Sequence, residues 1–182
     1  MQSNNLKMLN LLSNLRISVP DKIYIKDPES SDLGKRIIEH SILLIDDIGF
    51  DSFTFKKLGH KIGSNESSIY RYFESKHKLL LYLTSWYWAW MEYRLVFRLM
   101  NIKSAEERLE IAIKTLTEYI EEDTDFSHFN MVKMNRIVIA ESSKIYLNKS
   151  VDNENSAGFF LAYKRLVDRV SNIILEIKPS YK

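Results

Sequence analysis

The chain has 182 residues and contains no cysteine, only five glycines and only three prolines. Without cysteine it can form neither a disulfide bond nor a thiolate metal site, which fits a reducing compartment. So few glycines and prolines argue against an all-β fold, whose many turns need these residues. No apolar run approaches the roughly 18 residues of a membrane span, and the N-terminus lacks the layout of a secretory signal. We therefore expect a cytoplasmic protein with no membrane partner.

The charge of the chain is nearly balanced, with a formal net charge of +2. Hydrophobic residues make up 45% and charged residues 27%, the composition of a globular protein with a sizeable core. Because the whole chain is not a polycation, any surface for nucleic acid must be local. Long runs rich in Leu, Ile, Lys and Glu, with few breakers, predict a mostly helical chain.

Hydrophobic periodicity divides most of the chain into helices. In the segment 31–47 the apolar residues recur at steps of three and four, and Gly49 is the expected stop. The VDNENS segment is polar and is predicted to be a loop, and a break is expected near Glu141. The same criteria predict four further helices, at 75–100, 104–122, 127–147 and 155–177.

The first thirty residues are interpreted as a loosely docked arm, on the general behaviour of chain termini. Pro20 and Pro28 bracket a short piece, IYIK, that is expected to be extended. The leucines expected to line one side of a short helix in this arm are Leu6, Leu9, Leu12 and Leu15.

The stretch 54–73, TFKKLGHKIGSNESSIYRYF, places two short helical patterns on either side of a GSN corner. Gly59 stands where two helices that cross steeply need a very small side chain. Gly63 ends the first helix, where a left-handed backbone costs other L-residues about 1 kcal/mol. Asn65 is a good N-cap for the second helix, and Thr54 for the first. This is the layout of a helix-turn-helix.

Positive charge is concentrated around the same corner. Residues 56–78 contain six Lys or Arg residues and two Glu, a local net charge of +4. Such local cations drive binding to phosphate through counterion release. A solvated basic face would explain the charge alone, but its combination with the glycine-capped corner favours DNA binding.

The run that ends IGSNESSIYRYFESKHKLL, within residues 33–82, resembles the TetR family of bacterial transcriptional regulators. Its most specific part is IYRYF followed by Lys and Leu-Leu. The sequence departs from the family at three places. Gly59 stands where the family commonly has alanine, Ser64–Asn65 where it has Val-Ser, and Ser67–Ser68 where it has Gly-Thr. These departures leave the base sequence that the protein reads undetermined.

The resemblance implies an all-α protein with two functional parts. Residues 31–76 would form a three-helix DNA-binding domain whose third helix enters the major groove. Residues 77–182 would form a helical domain that binds a small-molecule effector and dimerises, and residues 1–30 would be the arm. Such a protein would be cytoplasmic and associated with the bacterial nucleoid.

The resemblance also implies phosphate contacts by Thr54, Tyr70 and Lys76, which position a protein without reading sequence. Ser67, Ser68 and Arg71 are candidates for contacts with base edges. Glu66 either accepts a hydrogen bond from cytosine or complements the helix dipole, and the second interpretation is favoured. A scaffold role is favoured for Tyr72. The candidate DNA-contacting residues are Thr54, Lys56, Asn65, Glu66, Ser67, Ser68, Tyr70, Arg71, Tyr72 and Lys76.

Aromatic residues recur at helical spacing in the segment 75–100. A helical core explains such a stripe, whereas the resemblance implies a small-molecule pocket in this half, and Trp and Tyr suit its walls. The candidate effector-binding residues are Trp86, Trp90, Tyr93, Phe97 and His128. The last helix has an apolar face wider than one core contact requires, so part of it is expected to pack on a second subunit. The candidate dimer-interface residues are Phe159, Tyr163, Leu166, Val170 and Ile173.

The chain contains no HExxH motif, no Gly-rich phosphate loop and no nucleophile elbow. We therefore predict no catalytic residues, no metal and no cofactor. The expected function is that of a homodimeric, sequence-specific regulator, a repressor released from double-stranded DNA by a small apolar or aromatic effector. The alternative is a helical protein–protein interaction module with little or no DNA binding, and the salt dependence of DNA binding separates the two.

Overall fold

The computed structural model describes residues 17–120 and 129–181 of the chain. Within these residues the regular structure is entirely helical, with two short 3-10 turns followed by nine α-helices. The turns are Asp21–Ile23 and Pro28–Ser30, and the helices are α1 Asp32–Ser52, α2 Phe55–Ile62, α3 Glu66–Tyr70, α4 Lys76–Leu99, α5 Ala105–Thr117, α6 Met131–Ala140, α7 Ser142–Tyr146, α8 Val151–Ser156 and α9 Leu161–Ile177. No helix in the described part of the chain has the length and apolar character needed to cross a membrane.

Helix α1 begins where the sequence predicts and is interrupted at the predicted stop, Gly49, although one further turn follows. The hydroxyl oxygen of Ser31 caps its start by accepting a hydrogen bond from the backbone N–H of Gly34 at 3.2 Å. At Gly49 the backbone leaves the helical path, with φ 75° and ψ 156°, and one further turn ends at Ser52. The predicted stop at Gly49 is therefore confirmed. The buried isoleucines of its inner face are Ile37, Ile38, Ile42 and Ile45.

Helix α4 connects the helix-turn-helix to the C-terminal half. It has 24 residues, about 36 Å of helix, and its start is capped by the hydroxyl of Ser75, which accepts from the backbone N–H of Lys78. Fourteen of its residues are buried, so it is a core helix on most of its circumference. The predicted long aromatic helix at 75–100 is confirmed.

In the C-terminal half, α5 and α9 pack against α4 and against each other. Helix α5 ends at Thr117, earlier than predicted, because Glu118 adopts an extended backbone and its carboxylate pairs with Arg94 and Arg98 of α4. Glu141, with φ −101° and ψ 8°, separates α6 from α7. The predicted break near Glu141 is thus confirmed.

The prediction of a loop at VDNENS is wrong, because these residues form α8. Although the segment is polar, it makes a buried contact. Glu154 is only 6% exposed, and its carboxylate accepts a hydrogen bond from Nε2 of His77 at 2.7 Å. Gly158, with φ 85°, then separates α8 from the last helix. The predicted helix at 155–177 is consequently correct only from Leu161 onward.

Residues 17–31, called the N-terminal segment below, are packed against the rest of the chain. Ile17, Val19 and Ile23 are buried. The carboxylate of Glu29 accepts hydrogen bonds from Nε1 of Trp86 at 2.9 Å and from the hydroxyl of Tyr82 at 3.1 Å. The interpretation of a loosely docked arm is therefore wrong for residues 17–30. The predicted leucine face of Leu6, Leu9, Leu12 and Leu15 lies outside the described residues.

Candidate nucleic-acid interface

The corner between α2 and α3 is fixed by local hydrogen bonds at both helix ends. Thr54 caps α2 by accepting from the backbone N–H of Lys57 at 3.2 Å. Gly63 ends α2 in the left-handed region, with φ 62° and ψ 38°, a conformation that glycine adopts without cost. Asn65 then caps α3, its Oδ1 accepting from the backbone N–H of Ser68 at 2.8 Å. All three roles are those that the sequence predicts.

Gly59 lets the two helices approach closely. A Cβ atom at this position would lie 2.7 Å from the carbonyl oxygen of Ser64, closer than real Cβ contacts come. The backbone N–H of Ser64 also donates to the carbonyl oxygen of Gly59 at 2.9 Å, which ties the turn to α2. The corner is therefore tighter than a chain with a larger residue at position 59 would allow.

The inner side of α3 is locked into the core. Ile69 and Phe73 have no exposed surface, and Tyr72 is 3% exposed. The hydroxyl of Tyr72 lies 2.8 Å from the hydroxyl oxygen of Ser31, the N-cap of α1. A helix of only five residues has little stability of its own, so these buried contacts determine its orientation.

The outer side of α3 faces solvent. Ser67, Tyr70 and Arg71 are exposed, and Glu66 and Ser68 are half-buried. The hydroxyls of Ser67 and Ser68 donate to Oδ1 of Asn65 at 3.1 and 2.6 Å, which leaves their oxygen atoms to accept hydrogen bonds from a ligand. This face therefore presents hydroxyl groups and one guanidinium, groups that can bond to base edges and phosphates.

Exposed cations lie on α2 and at the end of α3. Lys56, Lys57, Lys61 and Arg71 are all exposed. Only Lys57 among them has a recorded side-chain partner in the described part of the chain, the carbonyl oxygen of Ser52 at 2.8 Å. The positive charge predicted from the sequence is thus exposed to solvent on α2 and at the end of α3.

A family model described as "Bacterial regulatory proteins, tetR family" matches residues 37–83. The match covers α1 from Ile37, the α2–α3 corner and the start of α4. Residues 37–83 are a TetR-family DNA-binding domain. Searches of curated proteins and of solved structures gave no match. The match thus identifies a TetR-type DNA-binding domain at residues 37–83, and the described residues that follow it are helical.

Two of the candidate DNA-contacting residues, Tyr72 and Lys76, make contacts within the chain itself. Tyr72 is buried and bonded to Ser31, so its ring belongs to the scaffold. The ammonium group of Lys76 donates to the carbonyl oxygens of Phe50, Asp51 and Phe53 at 3.1–3.2 Å, at the end of α1. These bonds tie the ammonium group to the end of α1, and the phosphate contact that the resemblance implies stays a prediction.

A second candidate site is an open cavity of about 600 Å³ in the C-terminal domain. None of the described residues that line it is charged. Burial raises the pKa of Tyr87 to about 12, although the charge of Arg94 opposes this rise, and burial also raises the pKa of Tyr146. Both phenols are therefore neutral at physiological pH. Residues of the wall include Tyr87, Trp88, Asn135, Val138, Tyr146 and Tyr163.

The predicted effector-binding residues do not border this cavity. Trp86 and Trp90 are buried, Phe97 is half-buried and Tyr93 is exposed, and none of the four lines the cavity. Periodicity identified the stripe but not which side of α4 meets the cavity, so the prediction is wrong for this cavity. The off-stripe residue Trp88 is in the wall instead, donating from Nε1 to the hydroxyl of Tyr146 at 3.0 Å. His128 lies outside the described residues.

The predicted dimer-interface residues separate into two groups. Phe159, which precedes α9, and Leu166 and Ile173 of α9 are buried within the subunit. The prediction that they face a partner is wrong, because they pack on the chain's own core. Tyr163 is exposed and Val170 is half-buried. These two belong to a neighbouring apolar row, called the α9 stripe below, which consists of Tyr163, Val167, Val170, Ile174 and Ile177.

Proposed function

We propose that this regulator is a homodimeric, sequence-specific repressor whose α3 helices enter successive major grooves of its operator. The observation that carries the proposal is the two-sided character of α3. Its inner side is locked by Ile69 and Phe73, and its outer side presents Ser67, Tyr70 and Arg71 among exposed lysines. A surface of this kind fits DNA, because cations neutralise phosphates and Arg bonds with guanine edges.

Within this proposal the contacts divide by chemistry. Thr54, Lys56 and Tyr70 bind phosphates around the corner, whereas Ser67, Ser68 and Arg71 read bases. Asn65 and Glu66 act at the start of α3, Asn65 as its cap and Glu66 by complementing the helix dipole. The DNA-binding part extends over residues 31–76 and the effector-binding and dimerisation part over residues 77–182.

The α9 stripe supports dimerisation. Its five apolar residues follow one another at steps of four and three, and Tyr163, Val167 and Ile177 are 37–43% exposed. This spacing is that of a helix that packs along its length against another helix. In a twofold dimer the two stripes would pack together and place the α3 helices about 34 Å apart along the DNA.

The cavity supports release by a neutral, apolar effector. Its wall is apolar and aromatic and carries no charge in the described residues, and the hydroxyl of Tyr87 donates to Asn135 at 2.7 Å. Helices α6 and α7, which contribute to this wall, also hold α1. The carboxylate of Glu141 accepts from the backbone N–H of Phe50 at 3.3 Å.

Two further ion pairs strengthen the same connection. Lys133 and Arg136 of α6 both pair with Asp46 of α1. An effector that displaces α6 and α7 would therefore displace α1, and with it the reading head. Differential affinity for the two head spacings would then release the operator.

The proposal is tested by measuring the affinity of the whole protein for duplex DNA across a range of salt concentrations. We expect affinity to fall steeply with added salt, and Arg71→Ala to cost about 10-fold or more on the preferred sequence. Lys103→Gln is the matched control, because Lys103 is exposed at the far end of α4. Binding that is insensitive both to salt and to Arg71→Ala would favour an interaction module without a DNA role.

A further inference from the structure

The N-terminal segment precedes the part of the chain that the family model matches, residues 37–83. It is nevertheless attached to the reading head. The backbone N–H of Ile25 donates to the carbonyl oxygen of Tyr72 at 2.8 Å, so the segment pairs directly with the residue that follows Arg71. On the N-terminal side of this contact Ile23 is buried, and on its C-terminal side Glu29 accepts a hydrogen bond from Trp86.

Lys26 lies at this point of contact. Its Nζ is 5.2 Å from the centroid of the Tyr72 ring, and the side chain is exposed. In the described part of the chain no carboxylate forms an ion pair with it. The acidic residues nearby are engaged elsewhere: Asp27 caps the second 3-10 turn, and Asp21 accepts from the hydroxyl of Tyr24.

We propose that Lys26 is a further DNA-contacting residue, which binds a backbone phosphate beside the groove that α3 occupies. This inference rests on the DNA binding proposed above, and it adds the N-terminal segment to the surface that contacts DNA. Phosphates border the major groove, so a cation at the end of a helix lying in that groove is placed to meet them. The cation–π contact with Tyr72 and the backbone bond of Ile25 hold the lysine stem in position before DNA arrives.

The consequence is measurable in the salt dependence of binding. Each phosphate neutralised contributes about 0.9 to the slope of log affinity against log salt concentration. Because a dimer carries Lys26 twice, its removal would reduce the magnitude of the slope by about 1.8. The affinity deficit would then be about 12-fold larger at about 50 mM salt than at about 200 mM salt. Since phosphate carries no sequence information, the deficit would be similar on every duplex.

The experiment compares wild type with Lys26→Gln, Lys26→Arg and Lys103→Gln in the full chain. A fluorescently labelled duplex of random sequence, about 40 base pairs long so that it spans two half-sites, is titrated by anisotropy across that salt range. Lys103→Gln removes the same charge just beyond the opposite end of α4, a helix about 36 Å long that begins at Lys76. Thermal unfolding of each variant checks that the fold persists, which we expect because the Ile25–Tyr72 bond involves only backbone atoms.

The inference predicts a reduced slope for Lys26→Gln, a near wild-type slope for Lys26→Arg and no change for Lys103→Gln. A wild-type protein that binds DNA with a steep slope, together with a Lys26→Gln slope equal to that of Lys103→Gln, would overturn the inference and leave the proposed function standing. Equal losses from Lys26→Gln and Lys26→Arg would overturn it too, because charge would not be the cause. Failure of the wild-type protein to bind DNA would overturn the proposed function and this inference together.

Discussion

Lys76 is expected to stabilise the end of α1, and the substitution Lys76→Met tests this role. Its ammonium group donates to the carbonyl oxygens of Phe50, Asp51 and Phe53 at 3.1, 3.2 and 3.2 Å. It also lies 4.8 Å from the centroid of the Phe50 ring. Methionine keeps most of the length of the side chain but removes the charge and all three donors.

The size of the effect follows from the exposure of each contact. The part-buried bonds to Phe50 and Phe53 contribute about 1 kcal/mol each, a low value for a charged donor because water competes. The exposed bond to Asp51 adds little, and the cation–π contact adds about 0.5 kcal/mol. The free energy of unfolding should therefore fall by about 2–3 kcal/mol, which lowers Tm by about 4–12 °C in a chain of this length.

Chemical and thermal denaturation measure this loss, and Lys57→Met is the control. Lys57 is exposed and donates only to the carbonyl oxygen of Ser52, so its replacement should change stability by less than about 0.5 kcal/mol. On DNA, the salt slope of Lys76→Met should equal that of wild type at a temperature where both are folded. Full stability combined with a slope reduced by about 1.8 per dimer would refute the reasoning, since Lys76 would then act as a phosphate contact.

Three further predictions concern the C-terminal domain. Burial tends to raise the pKa of Glu92, but hydrogen bonds and positive charge from Arg165 and Arg169 outweigh it and leave the pKa lowered. Glu92→Gln should cost about 2 kcal/mol in urea denaturation near neutral pH. The extra stability of wild type over Glu92→Gln should be present above the pKa of Glu92 in the unfolded chain, about 4.3, and should disappear as pH falls through the lowered pKa in the folded chain. A difference in stability that stays constant on acidification would contradict this prediction. Val167→Glu in the α9 stripe should give folded monomers in analytical sedimentation. The control Asp168→Ala, on the other side of α9, should leave the dimer intact. Equal dimerisation of the two variants would exclude the α9 stripe as the dimer interface. Ile139→Trp should fill the cavity from its exposed rim and weaken binding of the neutral dye Nile red, with unchanged fluorescence titrations placing the dye elsewhere.

Local signals allowed the DNA-binding corner to be predicted. Thr54 and Asn65 form the expected caps, Gly63 adopts the expected left-handed conformation, and Gly49 interrupts α1 where predicted. Each of these features depends on a few neighbouring residues, so the sequence of the segment is sufficient to specify it. The break at Glu141 belongs to the same class, although only the change of pattern around it indicated the position.

Features that depend on distant partners could not be predicted in this way. The helix α8 depends on the bond between Glu154 and His77, which are 77 residues apart. The N-terminal segment is held by Glu29 through Trp86 and by Ile25 through Tyr72, contacts for which the sequence gives no pairing signal.

In α9 the sequence contains two adjacent apolar rows. Periodicity alone does not state which row packs on the subunit's own core and which remains exposed. The row of Leu166 and Ile173 is buried in the subunit, whereas Val167 of the neighbouring row is exposed. Because of the same ambiguity on α4, the sequence predicts an effector pocket at Trp86 and Trp90, whereas the cavity is lined by Tyr87 and Trp88. Choosing between two faces of a helix requires knowledge of the neighbouring helices.

Selection of bound duplexes from a pool of random DNA shows whether α3 reads sequence from the major groove. We predict enrichment of an inverted repeat whose half-site centres are about 34 Å apart, or a multiple of that distance. We further predict that Arg71→Ala relaxes the preference at one symmetry-related position in each half-site. Recovery of no common sequence, or of one whose preferences are identical for wild type and Arg71→Ala, would contradict these predictions.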